Sequence, residues 1–260
     1  MTELADVVDS KSTDSDIVPV RVRSPAPNLI ILGEVVMKHR HVIDLEDLTF
    51  AQLQQTIELA GKIKADPVKY SHVCDGKIMA TLFYEPSTRT QMSFQTAMMR
   101  LGGKIIGFDN PQNSSVSKGE SLKDTITIVS GYADIIAMRN PVEGSAKAAS
   151  LYSRVPVINA GDGKHQHPTQ AMLDLYTIRK HFKHLDGLKV AIVGDLSHSR
   201  VVGSLVPALE TMGAHVILVG PPTFQVDDPR WFACEQTSSL DDVIEDVDVV
   251  YMLRVQLERM

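Results

Sequence analysis

The chain has 260 residues, 43% hydrophobic and 22% charged, which describes a globular chain long enough for one large or two medium cores. A formal net charge of −6 argues against nucleic acid or an anionic membrane as a main partner, yet leaves room for a local basic pocket. Two distant cysteines, Cys74 and Cys234, no apolar run of about 18 residues and an acidic N-terminus argue against a disulfide framework, a membrane span and a targeting signal, so a cytoplasmic protein is expected.

Residues 1–28 are polar and acidic, then Pro-containing (Pro19, Pro25, Pro27), without steady periodicity, and read as a disordered leader. Residues 29–36 are apolar enough to pack on the adjoining domain. Leu48, Leu53 and Ile57 mark an amphipathic helix over residues 47–64. Residues 77–83 read as a buried strand. Met92, Phe94, Met98 and Leu101 then give a helical stripe that stops at Gly102-Gly103. The pattern repeats: strand 104–108, a Ser-rich polar loop over 109–119, helix 120–132, strand 134–138, helix 144–152, strand 156–159 and a helix opening at Pro168 and running to about 182. After a boundary at 184–187 a second set begins, with strand 188–193, helix 198–212, strand 215–219, a helix near 240–245 and strand 247–253. Alternation of this kind implies parallel sheets with right-handed crossovers. The expected fold is α/β, with two doubly wound parallel-sheet domains joined by the 168–183 helix. The leader would cover 1–28, one domain 29–183 and the other 184–260.

In such sheets ligands bind beyond the carboxyl ends of the strands. Ser87-Thr88-Arg89-Thr90 stands where the 77–83 strand hands over to a helix N-terminus, which offers free N–H groups, the positive dipole end, hydroxyls and a guanidinium. That set suits a dianion, although a Ser/Thr helix cap with a surface Arg uses the same residues. Arg139, His167, Arg200 and Arg254 occupy equivalent strand-end positions. Gly194-Asp195-Leu196 lacks the second and third glycines of a dinucleotide fingerprint, and no P-loop is present. His165 and His167, two apart with Asp162 as the one nearby acid, make a weak metal pair, so no metal and no cofactor are expected.

Phe83-Tyr84-Glu85-Pro86-Ser87-Thr88-Arg89-Thr90 resembles the carbamoyl-phosphate signature of the aspartate/ornithine carbamoyltransferase family. The resemblance extends in order through Lys118-Gly119-Glu120-Ser121, Arg139-Asn140-Pro141, His167-Pro168-Thr169-Gln170, residues 194–200 and Arg254-Val255-Gln256. It covers residues 40–260, and the Tyr-Glu-Pro, 194–200 and Arg254 motifs are similar to the aspartate branch. The resemblance implies transfer of a carbamoyl group from carbamoyl phosphate to L-aspartate in pyrimidine synthesis, in a homotrimer with shared sites. Whether a regulatory subunit joins it is left open. It implies that Ser87, Thr88, Arg89 and Thr90 hold phosphate, and that Arg139, His167 and the Thr90 hydroxyl face the carbonyl oxygen. Gln170 would take the carbamoyl NH2, and Arg200 and Arg254 (with Gln256) the aspartate carboxylates. Ser114 and Lys118 would serve the neighbouring subunit's site. Two guanidiniums suit a dicarboxylate and would repel the ornithine cation.

Two features depart from the family pattern. Gln91 and Gln95 stand where the family has Arg and Glu, four residues apart on one helix face, so an amide pair is expected. Family chains also continue beyond Met260, so a C-terminally truncated second domain is expected. A non-catalytic fragment that binds carbamoyl phosphate or pairs with a full-length subunit is therefore the alternative, with an ornithine-type transferase a weaker one.

Overall fold

The computed structural model describes residues 41–254 apart from 47 and 227–233, together with the backbone of residues 31–32 and 35–36. The expected leader at 1–28 and Gln256 lie outside the described residues, as do the side chains of 29–36. Strands β1 (Ile31–Leu32) and β2 (Val35–Val36) pair antiparallel.

Helix α1 (Phe50–Ala65) starts one turn later than its apolar spacing predicts, because Thr49 caps it. The Thr49 hydroxyl accepts from the Gln52 amide N–H and the Gln52 side chain accepts from Thr49 N–H, a reciprocal capping box. Four strands then alternate with helices: β3 (Ile78–Phe83), α2 (Thr88–Arg100), β4 (Lys104–Phe108), α3 (Leu122–Tyr132), β5 (Ile135–Asn140), α4 (Ser145–Tyr152), β6 (Val157–Asp162) and α5 (Pro168–Phe182). The second set is β7 (Lys189–Val193), α6 (Arg200–Thr211), β8 (His215–Val219), β9 (Glu235–Thr237) and β10 (Val249–Met252).

Each set forms a four-stranded sheet in which every pairing is parallel, in the orders β4-β3-β5-β6 and β10-β7-β8-β9. The α/β expectation therefore holds. Parallel strands need both faces covered, and β3, β5, β6, β7 and β8 are largely buried, whereas Ile106 of β4 and Val250 and Met252 of β10 stay exposed. Leu82, Ile136, Met138 and Val157 of the first sheet pack with Ile126, Ala146 and Ala149 of α3 and α4, while Met79 and Ala137 on the opposite face meet Met98 of α2. The largest cluster joins the two sets: Leu53 and Ile57 of α1 and Leu175 and Ile178 of α5 pack with Val190, Ile192, Leu205, Leu209 and Leu218. Helix α5 thus belongs to both halves.

Strand order reverses once in each sheet, between β3 and β5 and between β7 and β10. At such a reversal the chain leaves adjacent strands toward opposite sides and opens a crevice at their carboxyl ends.

Three sequence expectations need correction. The helix near 240–245 is a single 3-10 turn, Leu240–Asp242, because the Ser239 hydroxyl accepts from Asp241 N–H and Val243 leaves helical geometry. The Ser-rich 109–119 loop is folded into two 3-10 turns, Pro111–Asn113 and Ser115–Lys118, the second opened by Ser114. Gln95 does not pair with Gln91. Its amide donates to Thr81 Oγ1 at 3.1 Å and ties α2 to β3.

Candidate functional site

Both reversals open onto one cleft of about 1210 Å³ between the two sheets. The first sheet contributes Arg89 and Thr90 after β3, Arg139 from the end of β5, and His167 and Gln170 beyond β6. The second contributes Arg200 at the first residue of α6 and Arg254 just past β10. Five cationic side chains (Arg89, Arg139, Lys164, Arg200 and Arg254) line it against two carboxylates, Glu85 and Glu143. A chain of net charge −6 therefore concentrates positive potential where it is concave.

Helix α2 meets the cleft with its N-terminus, as the Pro86-Ser87 break after a buried strand dictates. The Ser87 hydroxyl makes no capping bond. It accepts from Arg139 Nη1 at 2.8 Å, and Thr90 Oγ1 lies 3.4 Å from the same nitrogen. Arg139 Nε donates to Glu85 Oε1 at 2.5 Å. Glu85 Oε1 also accepts from Arg200 Nη2 at 2.8 Å, which joins the two halves through one carboxylate. Arg200 is 6% exposed, and its buried Nη1 has no hydrogen-bond partner. Gly161, at φ +117°, allows this placement: a Cβ there would stand 2.7 Å from that Nη1.

His167 precedes Pro168, the first residue of α5, and is 8% exposed. Its backbone N–H donates to Ser204 Oγ at 2.7 Å, while its Nδ1 is buried without a partner. Burial, and then the Arg139 charge beside it, push the imidazole down to about 4, so the ring is neutral at neutral pH. The turn before it is held by Asp162, whose carboxylate accepts from Asn159 Nδ2 (2.9 Å), Gln166 N–H (3.1 Å) and Gly144 N–H (2.9 Å). It is also held by α6. Pro207 has no N–H to give the Gly203 carbonyl four residues back, and that carbonyl accepts from Gln166 Nε2 at 3.0 Å, while Ser204 Oγ donates to Gln166 Oε1.

The structure brings Arg89, Thr90, Arg139, His167, Gln170, Arg200 and Arg254 to one cleft, with Ser87 behind Arg139. Thr88 is an exposed residue in the first turn of α2. Ser114 and Lys118 belong to the 3-10 segment and are not among the residues that line the cleft. Glu85 is visible in the sequence only as part of the 83–90 motif, with no role of its own, and Asp174, Ser204 and Tyr251 fall in no motif. Gln170 and Asp174 stand one helical turn apart, a spacing the sequence does show, but the other partners lie 37 to 115 positions away, where spacing carries no signal.

Two family models match. One, described as aspartate/ornithine carbamoyltransferase, carbamoyl-P binding domain, matches residues 40–180, and one described as the Asp/Orn binding domain of the same family matches residues 186–259. The chain belongs to the aspartate/ornithine carbamoyltransferase family. Among its relatives, the aspartate carbamoyltransferase catalytic subunit of Clostridium botulinum (strain Alaska E43 / Type E3) is 51% identical, over 86% of this chain and 76% of that one. The catalytic subunit from Clostridium perfringens (strain ATCC 13124 / DSM 756 / JCM 1290 / NCIMB 6125 / NCTC 8237 / Type A) is 48% identical with the same coverage. Among solved structures, the catalytic subunit of M. jannaschii aspartate transcarbamoylase superposes with a TM-score of 0.77 at 44% identity, covering 85% of this chain and 76% of that one. Aspartate transcarbamoylase from Trypanosoma cruzi, in complex with aspartate and phosphate, superposes with a TM-score of 0.80 at 33% identity, covering 85% and 77%.

Among the described residues no group of three or more His, Cys, Asp or Glu could hold a metal ion, and no helix is long and apolar enough to cross a membrane.

Proposed function

We propose that the chain transfers the carbamoyl group of carbamoyl phosphate to the amine of L-aspartate, giving N-carbamoyl-L-aspartate and phosphate, an early step of pyrimidine synthesis in the cytoplasm. The observation that carries this reading is the meeting of both switch points, with their arginines, on one cleft. Residues 29–183 serve as the carbamoyl-phosphate-binding domain and 184–260 as the aspartate-binding domain.

The neutral amine nitrogen attacks the carbamoyl carbon, the bond from that carbon to the bridging oxygen breaks, and phosphate leaves with the bonding pair and takes up the proton that the amine loses. No covalent enzyme intermediate is needed, so positioning and electrostatics supply the rate. Ser87, Thr88, Arg89 and Thr90, at the positive end of α2, bind phosphate. Arg139, neutral His167 and Thr90 hydrogen-bond the carbonyl oxygen as charge grows on it. A neutral imidazole has one N–H to give, and the depressed basicity of His167 keeps it in that form. Gln170 receives the carbamoyl NH2. Arg200 and Arg254, with Gln256, pair with the two aspartate carboxylates, and the unpartnered Arg200 Nη1 supports that assignment. An ornithine ammonium in the same place would meet two guanidiniums.

Ser114 and Lys118 stand away from the cleft of their own chain, which supports a homotrimer in which they complete the neighbouring subunit's site. One assay tests both parts. Carbamoyl-aspartate formation should fall on the order of 100- to 1000-fold in His167→Ala and in Lys118→Ala alone. Mixing the two variants under conditions of subunit exchange should restore part of it, because some sites then have both residues. Full activity in His167→Ala would remove that residue from the chemistry, and no recovery on mixing would remove the shared site.

A further inference from the structure

At the cleft wall, one hydrogen-bonded run joins the two halves and ties Gln170 to two residues, Asp174 and Tyr251, that the reaction scheme does not use. Gln170 and Asp174 lie one turn apart on α5, and Gln170 Nε2 donates to Asp174 Oδ1 at 3.0 Å. Tyr251, on strand β10 of the other sheet, donates its hydroxyl to Asp174 Oδ2 at 2.9 Å. Gln170 and Tyr251 line the cleft, and Asp174 stands behind them. An ionised carboxylate can only accept, so the Gln170 atom turned to Asp174 is the amide nitrogen. The amide oxygen, an acceptor, is the end left for a ligand.

We propose that Asp174, steadied by Tyr251, is a positioning residue that holds the Gln170 amide with its oxygen toward the ligand, so that the site selects an acyl phosphate carrying an N–H donor. This rests on the assignment of Gln170 to the carbamoyl NH2. A glutamine free to turn over would offer its NH2 as readily, and NH2 against NH2 sets donor against donor. A held oxygen favours carbamoyl phosphate over acetyl phosphate, whose methyl group of similar size has no hydrogen to donate. A pocket that hydrogen-bonds a substrate group discriminates against the analogue lacking it, because its own buried polar atom is left unpaired. Burial raises the Asp174 carboxyl from its ordinary value, while the Tyr251 and Gln170 hydrogen bonds act the other way and favour the charged, accepting form.

The test is the ratio of the inhibition constant of acetyl phosphate to the KM of carbamoyl phosphate, in the full chain and in four variants. Asp174→Asn keeps the shape but offers Gln170 either an oxygen or an NH2, so the ratio should drop about three- to tenfold, the loss of one neutral hydrogen bond. Gln170→Ala should lower it as far, and the double variant no further. Tyr251→Phe, which leaves the carboxylate but takes one of its donors, should lower it less, and it carries the comparison if Asp174→Asn does not fold. An unchanged ratio in Gln170→Ala would overturn the assignment of Gln170 itself. A fall in Gln170→Ala with the wild-type ratio kept in Asp174→Asn and Tyr251→Phe would overturn the positioning inference alone. So would an Asp174→Asn variant that loses turnover while its ratio stays unchanged, since that marks a structural role.

Discussion

His167 enters the cleft as the residue before α5, with its ring among buried neighbours and a guanidinium beside it. Both conditions disfavour the imidazolium, and the folded value of about 4 lies below the ordinary 6.5. Between those two values the unfolded chain binds a proton at this position that the folded chain does not. Stability therefore rises with pH across that window and is lost as pH falls through it, by roughly 3 kcal/mol in full. Replacing His167 with Gln should flatten this part of the stability profile, which urea unfolding at several pH values would measure. An imidazole resonance of His167 titrating near its ordinary value would contradict the argument. The residue was legible in the sequence because it follows a strand and precedes a helix-opening Pro. Its depressed basicity was not, since that comes first from burial that only the fold creates and then from Arg139, 28 positions earlier in the chain.

Helix α6 touches the loop before His167 backbone to backbone. A Cβ on Gly203 would stand 2.3 Å from the His165 carbonyl oxygen, a contact that neither helix nor loop can relieve by turning a side chain. Gly203→Ala is expected to push the loop off the helix and break the Gln166 and Ser204 contacts that hold His167. Thermal unfolding should then occur several degrees lower, equivalent to a loss of about 1–3 kcal/mol, with turnover falling as well. Unchanged Tm and kcat would show that the close approach is not needed. The long elements were readable from the sequence because their apolar spacing is strong: β3, α2, α5 and β7 lie within about two residues of the expected bounds. Strand β9 was missed because Glu235-Gln236-Thr237 has no apolar run and is recruited at the sheet edge by pairing with β8. Strand β6 reaches Asp162 instead of ending at 159, because β5 beside it continues to Asn140 and Asn140 registers with Asp162. Pairing partners, not local propensity, fix both outcomes.

Across the molecule, two crevices that would each be unremarkable alone become one cleft because α5 packs with both halves and Glu85 bonds Arg139 of the first sheet and Arg200 of α6. Family motifs pointed to the cationic residues one by one. The carboxylate that holds two of them together, and the Gln170–Asp174–Tyr251 run behind them, follow from the way the halves face each other. The charge pattern of the cleft then bears on the acceptor, since two guanidiniums from the second half favour a dianion and repel a cation. The most direct measurement is carbamoyl transfer by the purified chain with L-aspartate and L-ornithine offered separately at equal concentration. The account predicts carbamoyl-aspartate as product, with no citrulline above background and aspartate turnover lost in Arg139→Ala. Citrulline formation at a comparable rate would contradict the reading of the second half of the site, and absence of both products would contradict the proposal that this chain carries the activity.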